Sequence, residues 1–303
     1  MRLRARGALG AALAGCLALA AAASGGEAEF SGSFTWRSDD PAFGGFSGLE
    51  VSEDGTRFTA ISDRTMIVSG RLLRRDGEIV GVEAGPIERL LDAQGKIQAK
   101  AQGDSEGLAI RADGRRFVSF EGIGRVWAYV TLDKAARLPI PDAFKSLQSN
   151  SGLEALAIDA DGRLYTLPER SGALTRPFPV WRYDNGTWTQ PFDIPRRGGF
   201  LAVGADIGPD GRFYLLEREF TGFGFRSRVR RFDMSETALS GEKTLFESPL
   251  LRHDNLEGLA VWQDPQGNIR LTMISDDNFN ALQRTQFVEY TVPESLASKP
   301  ARP

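Results

Sequence analysis

Asp254–Asn278, DNLEGLAVWQDPQGNIRLTMISDDN, is the stretch whose reading decides the fold. It is an apolar run, a Gly-containing turn and a second apolar run, with Glu257 near its start and Asp276 and Asp277 near its end. Degraded copies stand upstream at Ser47–Arg64, Ser105–Gly122, Ser151–Arg170 and Ala202–Glu219. In these four an Asp precedes the turn glycine, as Asp54-Gly55, Asp113-Gly114, Asp161-Gly162 and Asp210-Gly211, and the fifth copy turns at Gly267. Asp-Gly between two apolar runs signals a hairpin, because glycine accepts the positive φ that a tight turn needs. Each copy therefore reads as two antiparallel strands.

The turn glycines recur 48 to 59 residues apart, and further strand-like runs fill the intervals. Residues 66–73 and 78–82 flank another turn, and residues 126–132, 180–183 with 187–189, and 229–232 behave alike. Residues 143–148 form a weak helical candidate. About four strands per period, repeated, make a β-propeller of four-stranded blades. Five visible repeats predict five blades, or six if one without the Asp-Gly mark occupies a longer interval. A pair of irregular β-sandwiches is the alternative. Residues 30–36 and 285–292 are single strands at the two ends, and the first is expected to complete the last blade. The all-β domain is placed at residues 30–292, followed by a tail at 293–303.

Composition agrees with this class. The 303 residues are 41% hydrophobic and 10% aromatic with 34 glycines, suited to short strands and tight turns. A formal net charge of −3 offers no electrostatic case for nucleic acid. Residues 1–24 read as a signal peptide, with Arg2, Arg4 and Arg6 before an Ala- and Leu-rich run that Ser24 breaks. A retained anchor is the competing reading, although the run is short for a span. Leu13-Ala14-Gly15-Cys16 is similar to a lipoprotein box, which would lipidate Cys16, the only cysteine. The apolar run continues past Cys16, so cleavage and lipidation both stay open. Either route predicts an exported protein, periplasmic or extracellular, with no membrane contact beyond a lipid at Cys16. The folded part has no disulfide and depends on its core.

Hairpin geometry brings the start of the first strand and the end of the second to one sheet edge. Glu106, Glu154 and Glu257 occupy equivalent starts, where the first and fourth copies carry Ser47 and Val203. Asp63, Glu121, Glu169, Glu217 and Asp276 occupy the ends, in a loose register, with Asp277 next to the last. Around a propeller channel these acids form a candidate metal ring, with Glu257, Asp276, Glu106 and Glu154 as the candidate catalytic groups. Capping of turns and pairing with a neighbouring Arg is the plainer role for any one of them. Oxygen donors without Cys or His suit a hard cation, Ca²⁺ before Mg²⁺. Arg64, Arg170 and Arg218, with Asn255 and Asn278, are the candidate substrate contacts, since guanidinium holds phosphate or carboxylate in a bidentate manner. A cation beside arginines is equipment for attack by water on a phosphoester.

Other chemistries lack their motifs: no phosphate-binding Walker loop or zinc-spaced cluster occurs. A Ser-His-Asp triad could use only His253, the sole histidine, expected on the surface or in a turn. Arg226, Arg228, Arg230 and Arg231 alternate along a strand and read as a solvated face or an anion patch.

Phe46-Ser47-Gly48-Leu49, Ser62-Asp63-Arg64, Gly103-Asp104-Ser105-Glu106-Gly107, Asn255-Leu256-Glu257-Gly258-Leu259 and Ser275-Asp276-Asp277-Asn278-Phe279 together resemble the phytase-like family described by "esterase-like activity of phytase", common among exported bacterial proteins. The resemblance covers residues 43–290 and implies hydrolysis of a small phosphate ester or other ester on a propeller. A β-propeller phytase would imply several Ca²⁺ ions over a carboxylate-rich mouth. A non-catalytic propeller that binds a metal, small ligand or protein is the alternative.

Overall fold

The computed structural model describes residues 27–99, 102–145, 147 and 152–293. The signal segment with Cys16, and the tail from 294 onward, lie outside the described residues. After β1 (Glu29–Thr35) the chain builds its blades from the channel outwards. Blade one is β2 (Phe46–Val51), β3 (Arg57–Ser62), β4 (Met66–Arg75) and β5 (Glu78–Ala84), with the short β6 (Glu88–Arg89) beside β4. Blade two is β7 (Ser105–Ile110), β8 (Arg116–Phe120), β9 (Arg125–Tyr129) and β10 (Ala136–Arg137), followed by the single-turn helix α1 (Asp142–Lys145). Blade three is β11 (Leu153–Ile158), β12 (Leu164–Pro168), β13 (Phe178–Asp184) and β14 (Thr187–Ile194). Blade four is β15 (Leu201–Ile207), β16 (Phe213–Phe220), β17 (Phe225–Met234) and β18 (Leu239–Glu247). Blade five is β19 (Asn255–Gln263), β20 (Ile269–Asp276) and β21 (Gln286–Val292), and β1 pairs antiparallel with β21 as its outer strand.

The blade count is five. The first strands β2, β7, β11, β15 and β19 pack side by side, and β19 returns to β2, closing the ring. The helical candidate at 143–148 shrinks to α1, and its far end lies outside the described residues. Strand β18 carried no clear sequence signal, because only Leu245 and Phe246 among its nine residues are buried.

All five expected hairpins form. Gly55, Gly114, Gly162, Gly211 and Gly267 have φ between +69° and +88°, and each donates its N–H to the carbonyl three residues earlier. The core is divided among the seams between blades, each apolar cluster drawing on two neighbours. At the closing seam Trp36 stacks on Phe46 and Phe287 at 5.2 and 5.8 Å, joining blade five to blade one.

Candidate functional site

The same irregularity occurs in all five inner strands. Pairing slips between Phe46 and Gly48, Ser105 and Leu108, Leu153 and Ala155, Ala202 and Gly204, and Leu256 and Gly258. The residue left over in each bulge is Ser47, Glu106 (with Gly107), Glu154, Val203 or Glu257, the set identified as equivalent starts. A bulge bends a strand and re-aims a side chain out of the pleat. Buried hydroxyls hold these bulges across the seams. Ser119 accepts the Gly107 N–H at 2.8 Å and donates to the Glu154 carbonyl at 3.1 Å, and Ser47 donates to the Ser105 carbonyl at 2.7 Å.

Carboxylates converge at the mouth that these bulges face. Oxygens of Asp104, Glu106 and Glu121 lie within 4.8 Å of one another, and so do those of Glu121, Glu154 and Glu169, so Glu121 belongs to both groups. Blade four brings a cation instead: Arg218 Nη2 sits 3.3 Å from both Glu169 Oε1 and Glu257 Oε1. The Asn255 amide donates to Glu257 at 2.8 Å, while its own buried Oδ1 has no hydrogen-bond partner. Asp63 and Asp276 continue the ring, and one buried oxygen of Asp63 is likewise unpartnered.

Burial and mutual repulsion load this ring with protons. Burial, then the charges of Glu154 and Glu257, hold Glu106 well above the carboxylate range, and burial with Glu169 and Glu257 does the same to Glu154. Burial raises Asp63 to about 7, with Asp276 adding to it. Glu121 rises to about 8 through burial and a hydrogen bond to Asp104, and Asp276 to about 8 through burial and Glu257. Glu257 is raised by burial, against the opposing pull of Arg218 and Asn255. Burial works against charge on Arg218, yet Glu257, Glu154 and Glu169 hold its guanidinium above the ordinary value. Clustered like charges behave this way when nothing else neutralises them.

Not every expected residue joins. Glu217 is fully buried within blade four, bound by Arg228 at 2.9 Å and by Arg230 through both oxygens at 2.7 Å. The alternating arginines are therefore neither a solvated face nor an anion patch: Arg228, Arg230 and Arg231 are buried, and the first two neutralise Glu217. Asp277 lies beside the ring but is engaged by Gly45 N–H, Phe279 N–H and Thr285 Oγ1, each at 3.0 Å. Arg64 is exposed on the rim with its guanidinium 3.2 Å over the Phe279 ring, and Arg170 donates to Glu169 at 2.9 Å. Asn278 is exposed at the rim with φ +50°. His253 lies in the bend before β19, as a turn residue, but it is buried and not on the surface. It shares a 2.8 Å hydrogen bond with the Tyr290 hydroxyl and stacks on Phe30, and burial lowers its pKa to about 4.

Sequence reasoning missed two features. Asp104 stands two residues before Glu106, as Asn255 does before Glu257, and that parallel was its available signal. At the other end of the channel Glu50 accepts the Ile110 N–H at 3.0 Å and Asp206 accepts the Val261 N–H at 2.6 Å, tying neighbouring inner strands together.

A cleft of about 870 Å³ opens from the ring between blades four and five, reaching from Glu169 and Arg218 to Phe223 and Leu282. No helix among the described residues is long and apolar enough to cross a membrane.

Among solved structures, the chain is similar to a gluconolactonase from Xanthomonas campestris at 14% identity, covering 81% of this chain and 76% of that one, with a TM-score of 0.46. A putative glycoside hydrolase from Parabacteroides distasonis matches at 12% identity over 82% and 87%, with a TM-score of 0.46. Regucalcin, a calcium-binding protein from Agrobacterium tumefaciens, matches at 12% over 84% and 92%, also with a TM-score of 0.46. No curated protein is similar enough to match. Residues 41–279, which hold every member of the carboxylate ring, match the profile of the phytase-like family described as "esterase-like activity of phytase", and the chain belongs to that family.

Proposed function

We propose that this protein hydrolyses phosphate esters or related esters of small molecules at the acidic mouth, assisted by a divalent cation, Ca²⁺ before Mg²⁺. The observation that carries this reading is the pair of carboxylate triads sharing Glu121, set beside the half-buried guanidinium of Arg218. The residues fit a hard cation: the donors are all oxygens, the unpartnered Oδ1 of Asn255 adds a neutral one, and the ring carries more carboxyls than it can ionise alone. Asp104, Glu106, Glu121, Glu154 and Glu169 would hold the ion. When bound, it supplies polarisation of the ester oxygen and acidifies water.

The chain's own groups divide the remaining work. Arg218 keeps an unpartnered Nε inside the site, a donor for the substrate anion. Glu257, oriented by Asn255, accepts the proton of the attacking water. Asp276, protonated through neutral pH, donates to the leaving oxygen. Arg64, Arg170 and Asn278 on the rim meet the anion first. Export of the protein through residues 1–24, with or without a lipid on Cys16, belongs to the same proposal.

Purified protein should turn over p-nitrophenyl phosphate or another member of an ester and phosphoester panel including phytate. That activity should vanish with chelator and in Glu257→Gln. Calcium-dependent thermal stabilisation with no turnover across the panel would remove the enzymatic reading and leave a binding propeller.

A further inference from the structure

We infer that the ester taken at this mouth is amphipathic, its anionic or carbonyl end at the carboxylate ring and an apolar group seated between blades four and five. The inference rests on the hydrolytic reading of the ring and specifies its substrate class. Phe220, Phe223, Leu251 and Leu282 are 60%, 87%, 66% and 91% exposed, and all four line a cleft that reaches Glu169 and Arg218. Exposed apolar side chains gathered on one wall mark a binding surface, whereas scattered ones do not.

The wall is built, not incidental. Phe220 and Phe225 pack ring to ring at 5.1 Å where β16 turns into β17, and Phe225 lies under the Arg218 guanidinium, 5.9 Å from ring centre to Cζ. Apolar wall and charged ring are therefore contiguous through one side chain. Leu251 holds φ +64°, a conformation that bulky residues seldom adopt. Its N–H is bonded to the Phe225 carbonyl at 3.1 Å, and its side chain occupies the space a Cβ at Gly224 would need, 2.2 Å from Leu251 Cδ2. The unusual backbone displays an apolar side chain to solvent beside the ring. A group extending from an ester centred near Arg218 would run along this wall. A wholly polar polyanion would leave the wall unfilled.

The test compares methylphosphonate with octylphosphonate, below its micelle concentration, by calorimetry with Ca²⁺ present, for the wild type and for Phe223→Ala/Leu282→Ala. Both side chains are nearly fully exposed, so the double variant should fold as the wild type does. Octylphosphonate should bind the wild type on the order of 10-fold or more tightly than methylphosphonate, in line with burial of several methylenes, and the double variant should lose that margin while keeping methylphosphonate. Equal affinity for the two ligands, or an undiminished margin in the variant, overturns the inference. Turnover of methyl to octyl phosphates is read separately. A chain-length margin in binding without any turnover supports the apolar subsite and defeats the hydrolase. Turnover that does not change with chain length defeats the subsite and leaves the hydrolase standing.

Discussion

Glu154 and Glu217 are both buried glutamates of neighbouring blades, and their surroundings assign them opposite roles. Glu217 faces two guanidiniums and is neutralised; Glu154 faces Glu169, Glu257 and Glu121, which outweigh the single opposing charge of Arg218. Removing one partner of a buried ion pair strands the other, so Glu217→Gln should cost about 3 kcal/mol of stability, in chelator and in calcium alike. Glu154→Gln removes a repelled carboxyl instead. In chelator at pH 8 it should stabilise the fold, since burial and its acidic neighbours penalise the charged form, and it should abolish stabilisation by Ca²⁺. Denaturant titrations of both variants, with and without the ion, measure this contrast. A fall in stability for Glu154→Gln in chelator would mean that its carboxylate is held by partners, not by crowding. Sequence alone could not separate these two acids, because the arginines that claim Glu217 lie on the next strand and their direction depends on register.

The bulged inner strand is the element that converts a repeat into a site. After the bulge residue comes a glycine in four blades, and it stands where the next inner strand passes. A Cβ on Gly107 would lie 2.7 Å from the Glu154 carbonyl oxygen, and one on Gly258 would lie 3.0 Å from Leu49 N. Glu-Gly at the start of a copy thus joins two requirements, a carboxylate aimed into the channel and a backbone bare enough for the neighbouring blade. Gly107→Val should cost about 1–3 kcal/mol through overpacking and should weaken Ca²⁺ binding as well, because it pushes the main chain of Glu154. Gly186→Ala, on an outer hairpin with nothing within 4 Å of the added carbon but φ +87°, should lose stability through backbone strain alone and leave the ion affinity unchanged. Equal ion affinity in both variants would separate the seam from the site. The hairpins, the blade architecture, the closing strand and most of the ring were legible in the sequence, since turn chemistry and strand alternation are local. Strand β18, the bulges and the apolar cleft were not, because they depend on contacts between segments remote in the chain.

At the scale of the whole molecule, stability should depend on pH with a sign set by the ring. Asp63, Glu121 and Asp276 titrate near 7, 8 and 8 in the folded protein, against about 4 for these groups in an unfolded chain. Between those limits the folded state binds more protons than the unfolded one, so stability falls as pH rises. The contribution is complete below pH 4 and is lost as pH passes 7 to 8. Each extra bound proton gives a slope of about 1.4 kcal/mol per pH unit. In chelator the midpoint of thermal unfolding should therefore drop from pH 5 to pH 8. Calcium competes with those protons, so the stabilisation it gives should grow over the same interval and offset the decline. The seam residue Trp36 provides a control. Trp36→Ala, which empties the junction of blades one and five, should lower the midpoint throughout by a loss of about 3–5 kcal/mol while preserving the calcium-dependent pH effect. A chelated midpoint that is flat from pH 5 to 8, with no response to calcium at either end, would show that the ring is neutralised from within and would remove the ground for a cation at the mouth.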